Sequence, residues 1–415
     1  MADGYIPARR AELISAMAAE GGLPDAEALR FSEVARLLSA VLHYEAHDAL
    51  EELKSLYAPL DPDAPIGRRA AGLEPLQKFE AALGAALLKA NFEELDAEIE
   101  TRARTKLTAD LNLKASNAGI RSIRYFVRGQ HQEPLRLRRF FGLWKKNLSA
   151  DIADDVVVLV AFKDTNEIER QDRKAFRDMR RGVRPGGVLV KQFRNVARAE
   201  LITLHPGAKP TMRSRDQVVM AVPAIAGGVP VLLQLGPALT VLFTVIAIYF
   251  GAQGVIDNSR LQQAVAALSG LVAVGAFVLR QKMKYERQTL LYQKELADTV
   301  YFRNLANNAG VLDALIGAGE EQDVKEALLA YWVLLRAGKA LPKTEIDAQA
   351  EHLLRTRFAL AVDFEIGDAL GKLERLDLVY REGENLRARP CAEALAKLDA
   401  AWDSYFKYGA AKAAE

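Results

Sequence analysis

VPVLLQLGPALTVLFTVIAIYFG, residues 229–251, decides how this chain is read, because it is either the buried core helix of a soluble protein or a membrane crossing. Composition favours the first: 27% of residues are charged and the mean hydropathy is near zero. Length favours the second. From Gln217 to Ile256 forty residues pass without Asp, Glu, Lys or Arg, whereas a hydrocarbon core about 30 Å thick needs only about 20 helical residues. After the polar stretch Asp257–Arg260, a second uncharged run of nineteen residues, Leu261 to Leu279, is again long enough to span.

Flanking charge arbitrates the number of crossings. The twenty residues before the first run carry Arg198, Lys209, Arg213 and Arg215, and those after the second carry Arg280, Lys282, Lys284, Arg287 and Lys294. The connection has only Arg260. Basic flanks stay in the cytoplasm, so both ends of the segment belong on that side and the number of spans is even. The expectation is a membrane segment over residues 217–280: an interfacial entry containing Pro223, then transmembrane helices near 229–250 and 263–279. Arg280, Lys282, Lys284 and Arg287 are the membrane-proximal basic residues. The implied localisation is integral to a membrane, of the bacterial inner-membrane type, with N- and C-terminal domains cytoplasmic.

The chain has 415 residues, a net charge of +2 and one cysteine, Cys391, so it offers no global electrostatic case for nucleic acid and no internal disulfide. The N-terminal region, 1–108, reads as helical. Leu13 and Met17, then Leu29, Val34, Leu37, Leu38, Val41 and Leu42, recur at three- and four-residue spacing up to the break at Ala58-Pro59-Leu60-Asp61-Pro62. Leu76, Phe79, Leu83, Leu87 and Leu88 repeat the device over Leu73 to Ala90. His43 and His47 lie four apart on one helix face, a spacing that can place two imidazoles on a metal. No third ligand is near, and plain surface histidines are the favoured reading.

Residues 109–216 form an α+β middle region. LNLKA, IRSIRYFVRG, DDVVVLVAFKD and GGVLVKQF are short runs rich in Val, Ile, Phe and Tyr, bounded by turn residues, which predicts a small sheet. Between Arg121 and Lys146 lie eight basic residues, Arg121, Arg124, Arg128, Arg136, Arg138, Arg139, Lys145 and Lys146, interleaved with aromatics. They are candidate contacts for lipid head groups or another anion; a solvated face over a core is the competing reading.

Residues 281–340 predict a helical juxtamembrane region, with a helix exit at Asn304–Gly310, a helix from Val311 and another through Lys325–Arg336. From 341 to 415 the order helix, helix, hairpin turned at Glu382–Asn385 predicts a winged-helix-like module, its small core closed by Val379, Leu386 and Pro390. Its would-be reading helix carries Asp363, Glu365, Asp368, Glu374 and Asp377 against Lys372 and Arg375. Phosphate would be repelled, so sequence-specific nucleic acid is excluded and Asp363, Glu365 and Asp368 become candidate contacts for a protein partner. The fold class expected is therefore α+β, mostly helical.

YIPARRAEL near the start, YAPLDPD at 57–63, LLKANF at 87–92, YFVRG at 125–129, VLVKQFRNVARAELITLHPG at 188–207 and YFRNLANNAGVLDALI followed by KEALLAYWVLL together resemble the domain-of-unknown-function family 3754, which includes transmembrane protein 143 of mitochondria. The resemblance implies a membrane hairpin and supplies no catalytic residue or ligand. No phosphate loop, nucleophile elbow or three-ligand metal set is evident, so no cofactor is expected and an enzyme is the weaker reading. The leading expectation is a non-enzymatic scaffold or adaptor anchored in the lipid bilayer and engaging an unknown protein partner. The alternatives are an oligomeric transport or channel component, using small residues such as Gly236, Thr240, Ala266, Gly270 and Ala273 for helix packing, and a membrane-bound enzyme of unknown type.

Overall fold

A computed structural model of the chain describes residues 4–23, 25–63, 73–95, 112–139, 144–170, 172–179, 185–211, 239–251, 253 and 258–406. In chain order the elements are α1 (Arg10–Glu20), α2 (Asp25–Tyr57), α3 (Leu73–Lys89), β1 (Glu93–Glu94), β2 (Asn112–Ala115), β3 (Ile120–Arg139), β4 (Trp144–Phe162), α4 (Arg173–Met179), β5 (Val188–Ala197) and β6 (Ala208–Thr211). There follow α5 (Leu239–Tyr249), α6 (Asn258–Arg303), β7 (Asn304–Asn307), α7 (Ala309–Ala337), α8 (Lys343–Phe358), α9 (Ile366–Arg375), β8 (Val379–Glu382), β9 (Asn385–Ala388) and α10 (Cys391–Ser404). The chain is α+β and mostly helical, with a small antiparallel sheet. It divides into two compact units, one made of Met1–Ala103, Asn117–Leu201 and Arg303–Glu415, the other of Arg104–Ser116 and Ile202–Phe302.

In the first unit α7 is the central element. Every residue from Val324 to Leu334 is buried, which an amphipathic surface helix cannot achieve; a helix apolar all round must be covered on all sides. α1, α2, α3, α8 and α9 supply the cover. The stripe of α2 that faces it is Phe31, Val34, Ala35, Leu38, Val41 and Leu42, all buried, and the Phe31 ring stacks on Tyr331 with centroids 6.3 Å apart. Leu29, expected on that stripe, points into solvent, and so does Leu88 on α3. Two helices were expected where α7 runs unbroken through Gly317 and Gly319. A glycine in a helix interior costs about 1 kcal/mol, and the packing around α7 outweighs two of them.

The sheet has the order β1-β3-β4-β5-β7 with every pair antiparallel. Val156 to Phe162 of β4 are buried without interruption, so this central strand is covered on both faces and its sequence shows a continuous apolar run instead of alternation. A second core joins the sheet to α3 and the start of α7 through Phe79, Leu83, Leu87, Val157, Val190 and Leu312. β3 and β4 are longer than their apolar stretches: the register continues from Ile120↔Phe162 to Arg139↔Trp144. β1 reaches only Phe126 and Val127, and β5 reaches Ile152, so among the described residues the far half of this hairpin is a two-stranded ribbon. Asn304–Asn307, expected as a helix exit, is instead the edge strand β7.

Downstream of α7, Leu341 bridges Leu386 through reciprocal backbone hydrogen bonds of 2.9 Å, α8 and α9 follow, and β8 pairs with β9 around Gly383 at φ 68°. Val379 and Leu386 are buried as expected; Pro390 is exposed and instead precedes α10 as its N-cap.

In the second unit β2 pairs with β6, from Asn112↔Thr211 to Ala115↔Ala208, so LNLKA is a strand but not part of the main sheet. α5 is apolar and short; at 1.5 Å per residue it covers about 16 Å. α6 has 46 residues. Among the described residues one helix, Leu261–Leu291, is long and apolar enough to cross a membrane, and only 6% of its most apolar window is buried. The two-helix membrane hairpin expected from the sequence is therefore reduced to one candidate span; of the expected first span, residues 229–238 lie outside the described residues, and α5 alone is too short.

Candidate functional site

α7 places four polar side chains at the edge of its buried stretch, Gln322, Asp323, Lys325 and Glu326. Gln322 and Lys325 hold the N-terminal segment. The Ile6 amide donates to Gln322 Oε1 at 3.3 Å, Gln322 Nε2 donates to the Ile6 carbonyl at 3.1 Å, and Lys325 Nζ donates to the carbonyls of Ile6 at 2.6 Å and Ala8 at 3.2 Å. Burial, opposed mainly by Glu321, lowers the Lys325 pKa to about 8. Arg10 adds an ion pair to Glu321 at 3.6 Å. YIPAR is thus a strap on the central helix.

Asp323 and Glu326 face α9. With Asp368 they present carboxylate oxygens all within 4.8 Å of one another. Lys372 donates to Asp323 Oδ1 at 2.6 Å and also bonds Asp368, one turn earlier on its own helix. Burial raises the pKa of Asp323 against the opposing charge of Lys372, and raises that of Glu326 to about 8. Burial also works against the Lys372 ammonium, yet Asp323 and Asp368 outweigh it and its pKa is raised. Glu326 Oε1 is buried without a hydrogen-bond donor. None of Gln322, Asp323, Lys325 or Glu326 was singled out from the sequence, although charges beside the run ALLAYWVLL, too apolar for a surface helix, are a readable signal.

The basic residues expected to meet an anion divide three ways. Arg128 is interior: its Nη2 donates to Asp155 at 2.5 Å and its Nη1 to the Ala90 carbonyl at 3.2 Å, while its guanidinium lies 4.4 Å from the Tyr5 ring centroid and 4.6 Å from that of Phe92. Arg121 pairs with Glu167, and Arg124 grips Glu94 through two hydrogen bonds of 2.6 Å. Arg136, Arg138, Arg139, Lys145 and Lys146 lie on the far part of the β3–β4 ribbon, with Arg138 in register with Lys145. The structure therefore does not gather the eight into one patch. Arg280, Lys282, Lys284 and Arg287 are exposed on α6 just beyond its uncharged stretch.

His43 Nδ1 lies 2.8 Å from Glu320 Oε2, His47 is exposed, and neither belongs to the convergent carboxylate set. Asp363 and Glu365 are exposed, and Glu365 accepts from Asn91 at 3.4 Å. Asp368 is exposed but engaged by Lys372. Cys391 is buried, and burial first raises its thiol to about 12, so it supplies no thiolate at neutral pH.

Several stretches that carry the family resemblance meet at a second junction. The Asn308 backbone sits at φ 50°; its amide donates to the Val190 carbonyl at 2.7 Å, its Oδ1 accepts from the Val190 amide at 3.3 Å, and its Nδ2 donates to Asp63 at 2.7 Å. Tyr57 Oη donates to the Val188 carbonyl at 2.9 Å. YAPLDPD, VLVKQF and ANNAG are thus one corner, and its hydrogen bonds are spent internally. No solved structure matches the chain. Residues 154–310, which run from β4 through α6 to this corner, match the model of a family described as Protein of unknown function (DUF3754).

Proposed function

We propose that this protein is a membrane-anchored scaffold or adaptor of the transmembrane protein 143-like type, held by a two-helix hairpin, with its first unit in the cytoplasm. The observation that carries the reading is Leu261–Leu279 of α6, uncharged and, apart from the buried Ala264, largely exposed among the described side chains: Val265 and Val272 are 62% and 65% exposed. Soluble proteins cover such a surface, and hydrocarbon is the solvent that suits it. The aromatic pair Tyr249–Phe250 at the end of α5 is exposed, as expected of side chains at a membrane interface. Arg280, Lys282, Lys284 and Arg287 would then meet acidic head groups, and Arg136, Arg138, Arg139, Lys145 and Lys146 at the end of the ribbon are further lipid contacts.

A second crossing is supported by the first unit itself. Its strands β1, β3, β4 and β5 precede the apolar segment and β7 to α10 follow it, yet β7 pairs with β5 and α7 packs on α1, α2 and α3. A domain folded from both flanks lies on one side of a bilayer. That requires an even number of crossings, with the second contributed by the uncharged residues before α6.

The bridge at Leu341, α8, α9 and the β8–β9 hairpin read as a winged-helix-like module used for protein contact. Its wing arginines are neutralised within it: Arg381 pairs with Glu374 at 2.6 Å, Arg387 with Glu382 at 3.2 Å and Arg389 with Asp377 at 2.6 Å. Little positive charge is left for phosphate, whereas Asp363 and Glu365 are exposed on the surface that a basic partner would meet. Membranes washed at alkaline pH in carbonate should retain the full-length chain in the pellet; its release into the supernatant overturns the anchored reading.

A further inference from the structure

We propose that Asp323, Glu326 and Asp368 form a site for a hard divalent cation at the junction of α7 and α9, with the Lys372 ammonium standing in the ion's place when none is bound. Asp323 and Glu326 are three apart on α7 and share a face, and Asp368 enters from the first turn of α9. Their oxygens lie within 4.8 Å of one another, close enough for one ion at oxygen–metal distances of about 2.0–2.6 Å after small rotamer shifts.

Two independent observations point to a cation here. First, a cation already sits among the carboxylates: Lys372 Nζ is 2.6 Å from Asp323 and also bonded to Asp368. Second, Glu326 is aimed into the same cluster at 2% exposure, and its Oε1 has no donor. Lysine therefore serves two of the three carboxylates and leaves the most buried one unserved. With Lys372 withdrawn and Glu326 ionised, the three carboxylates carry three negative charges, of which a divalent ion neutralises two.

The donor set fixes the chemical class. It contains oxygen only, with neither imidazole nor thiolate, which suits Mg²⁺, Ca²⁺ or Mn²⁺ and not zinc. Only Asp368 of the three is exposed, so the ion enters past α9 and keeps water on that side. Lys372 has a flexible four-carbon stem and can withdraw as the ion arrives. Bound metal would then tie the first turn of α9 to the central helix, beside the candidate partner-contact residues Asp363 and Glu365, which immediately precede α9.

The test uses full-length protein in detergent, freed of metal with a chelator, and Mn²⁺ as the probe, followed by the paramagnetic signal of the free ion. One Mn²⁺ should bind per chain and be displaced by excess Mg²⁺ or Ca²⁺. E326Q and D368N should each weaken binding at least tenfold. K372M, which removes the competing ammonium, should tighten it at least threefold, with circular dichroism confirming that each variant is folded. Absence of stoichiometric Mn²⁺ binding in both wild type and K372M, or equal binding by wild type, E326Q and D368N, overturns the site. Equal binding by wild type and K372M overturns the role given to the lysine.

Discussion

Arg128 and Asp155 face each other directly across β3 and β4, and both are buried. Removing one partner of such a pair leaves a charge in a low-dielectric interior, at a cost of about 3–5 kcal/mol, whereas replacing both with apolar groups is often neutral. R128M keeps the stacked bulk between Tyr5 and Phe92 but strands Asp155, so chemical denaturation should show a loss in that range, and R128M/D155L should recover most of it. Equal losses in both would mean that the rings, not the carboxylate, set the role of Arg128. A second residue-scale test comes from α7. Glu326 is raised from 4.5 to about 8, so the folded chain holds a proton that the unfolded chain releases; this contribution is full below about 4.5 and is lost as pH rises through 8. Lys325, lowered from 10.5 to about 8, acts oppositely, its penalty fading between pH 8 and 10.5. In chelator, wild-type stability relative to E326Q should fall from pH 5 to 8; a pH-independent difference would remove the buried acid from the account. Neither role is legible in the sequence: Arg128 is one of eight similar cations, and only the register that sets it opposite Asp155 tells it apart.

α6 is the element whose sequence and structure agree most closely. An uncharged run of helical length needs no tertiary information to be recognised, because length and composition are properties of the run itself. The amphipathic stripes of α2 and α3, the two helices after Leu341 and the β8–β9 hairpin were legible for the same local reason. α7 was not: its sequence reads as two helices, one from Val311 and one through Lys325–Arg336, and only packing from five helices keeps it whole. The length of the β3–β4 ribbon was also hidden, since its far half lacks the apolar alternation that marks a half-buried strand. The acidic cluster was missed because its members come from α7 and α9, more than forty residues apart. At this scale the membrane reading can be tested by charge. Val272 lies mid-way along the uncharged part of α6, and Lys there costs about 2.5–3.5 kcal/mol on insertion scales. V272K should therefore lower the carbonate-resistant fraction sharply, while the same change at Met283, among the basic residues, should leave it unaltered. Equal retention of both variants would argue for burial of α6 by protein.

The molecule as a whole sets the orientation problem. α6 offers one candidate span, and a single crossing would place residues before it and after it on opposite sides. The first unit forbids that arrangement in a folded chain: Lys325 after the segment holds Ile6 and Ala8 before it, and β7 completes a sheet begun by β1. On the proposed anchored reading, with water for the charged surface of that unit and hydrocarbon for Leu261–Leu279, the chain is expected to return across the bilayer. The residues available for the return are the uncharged ones from Gln217 to Phe250, long enough for a span at about 1.5 Å per residue. On that reading the basic flanks are expected to lie in the cytoplasm with both termini, and Asn258 outside. Reporters of compartment fused before Met1, inserted at Asn258 and fused after Glu415 should read cytoplasmic, external and cytoplasmic. Opposite readings at the two termini would mean one crossing and a first unit that cannot assemble as described; three cytoplasmic readings would mean that the apolar helix lies on the membrane or against protein without crossing it.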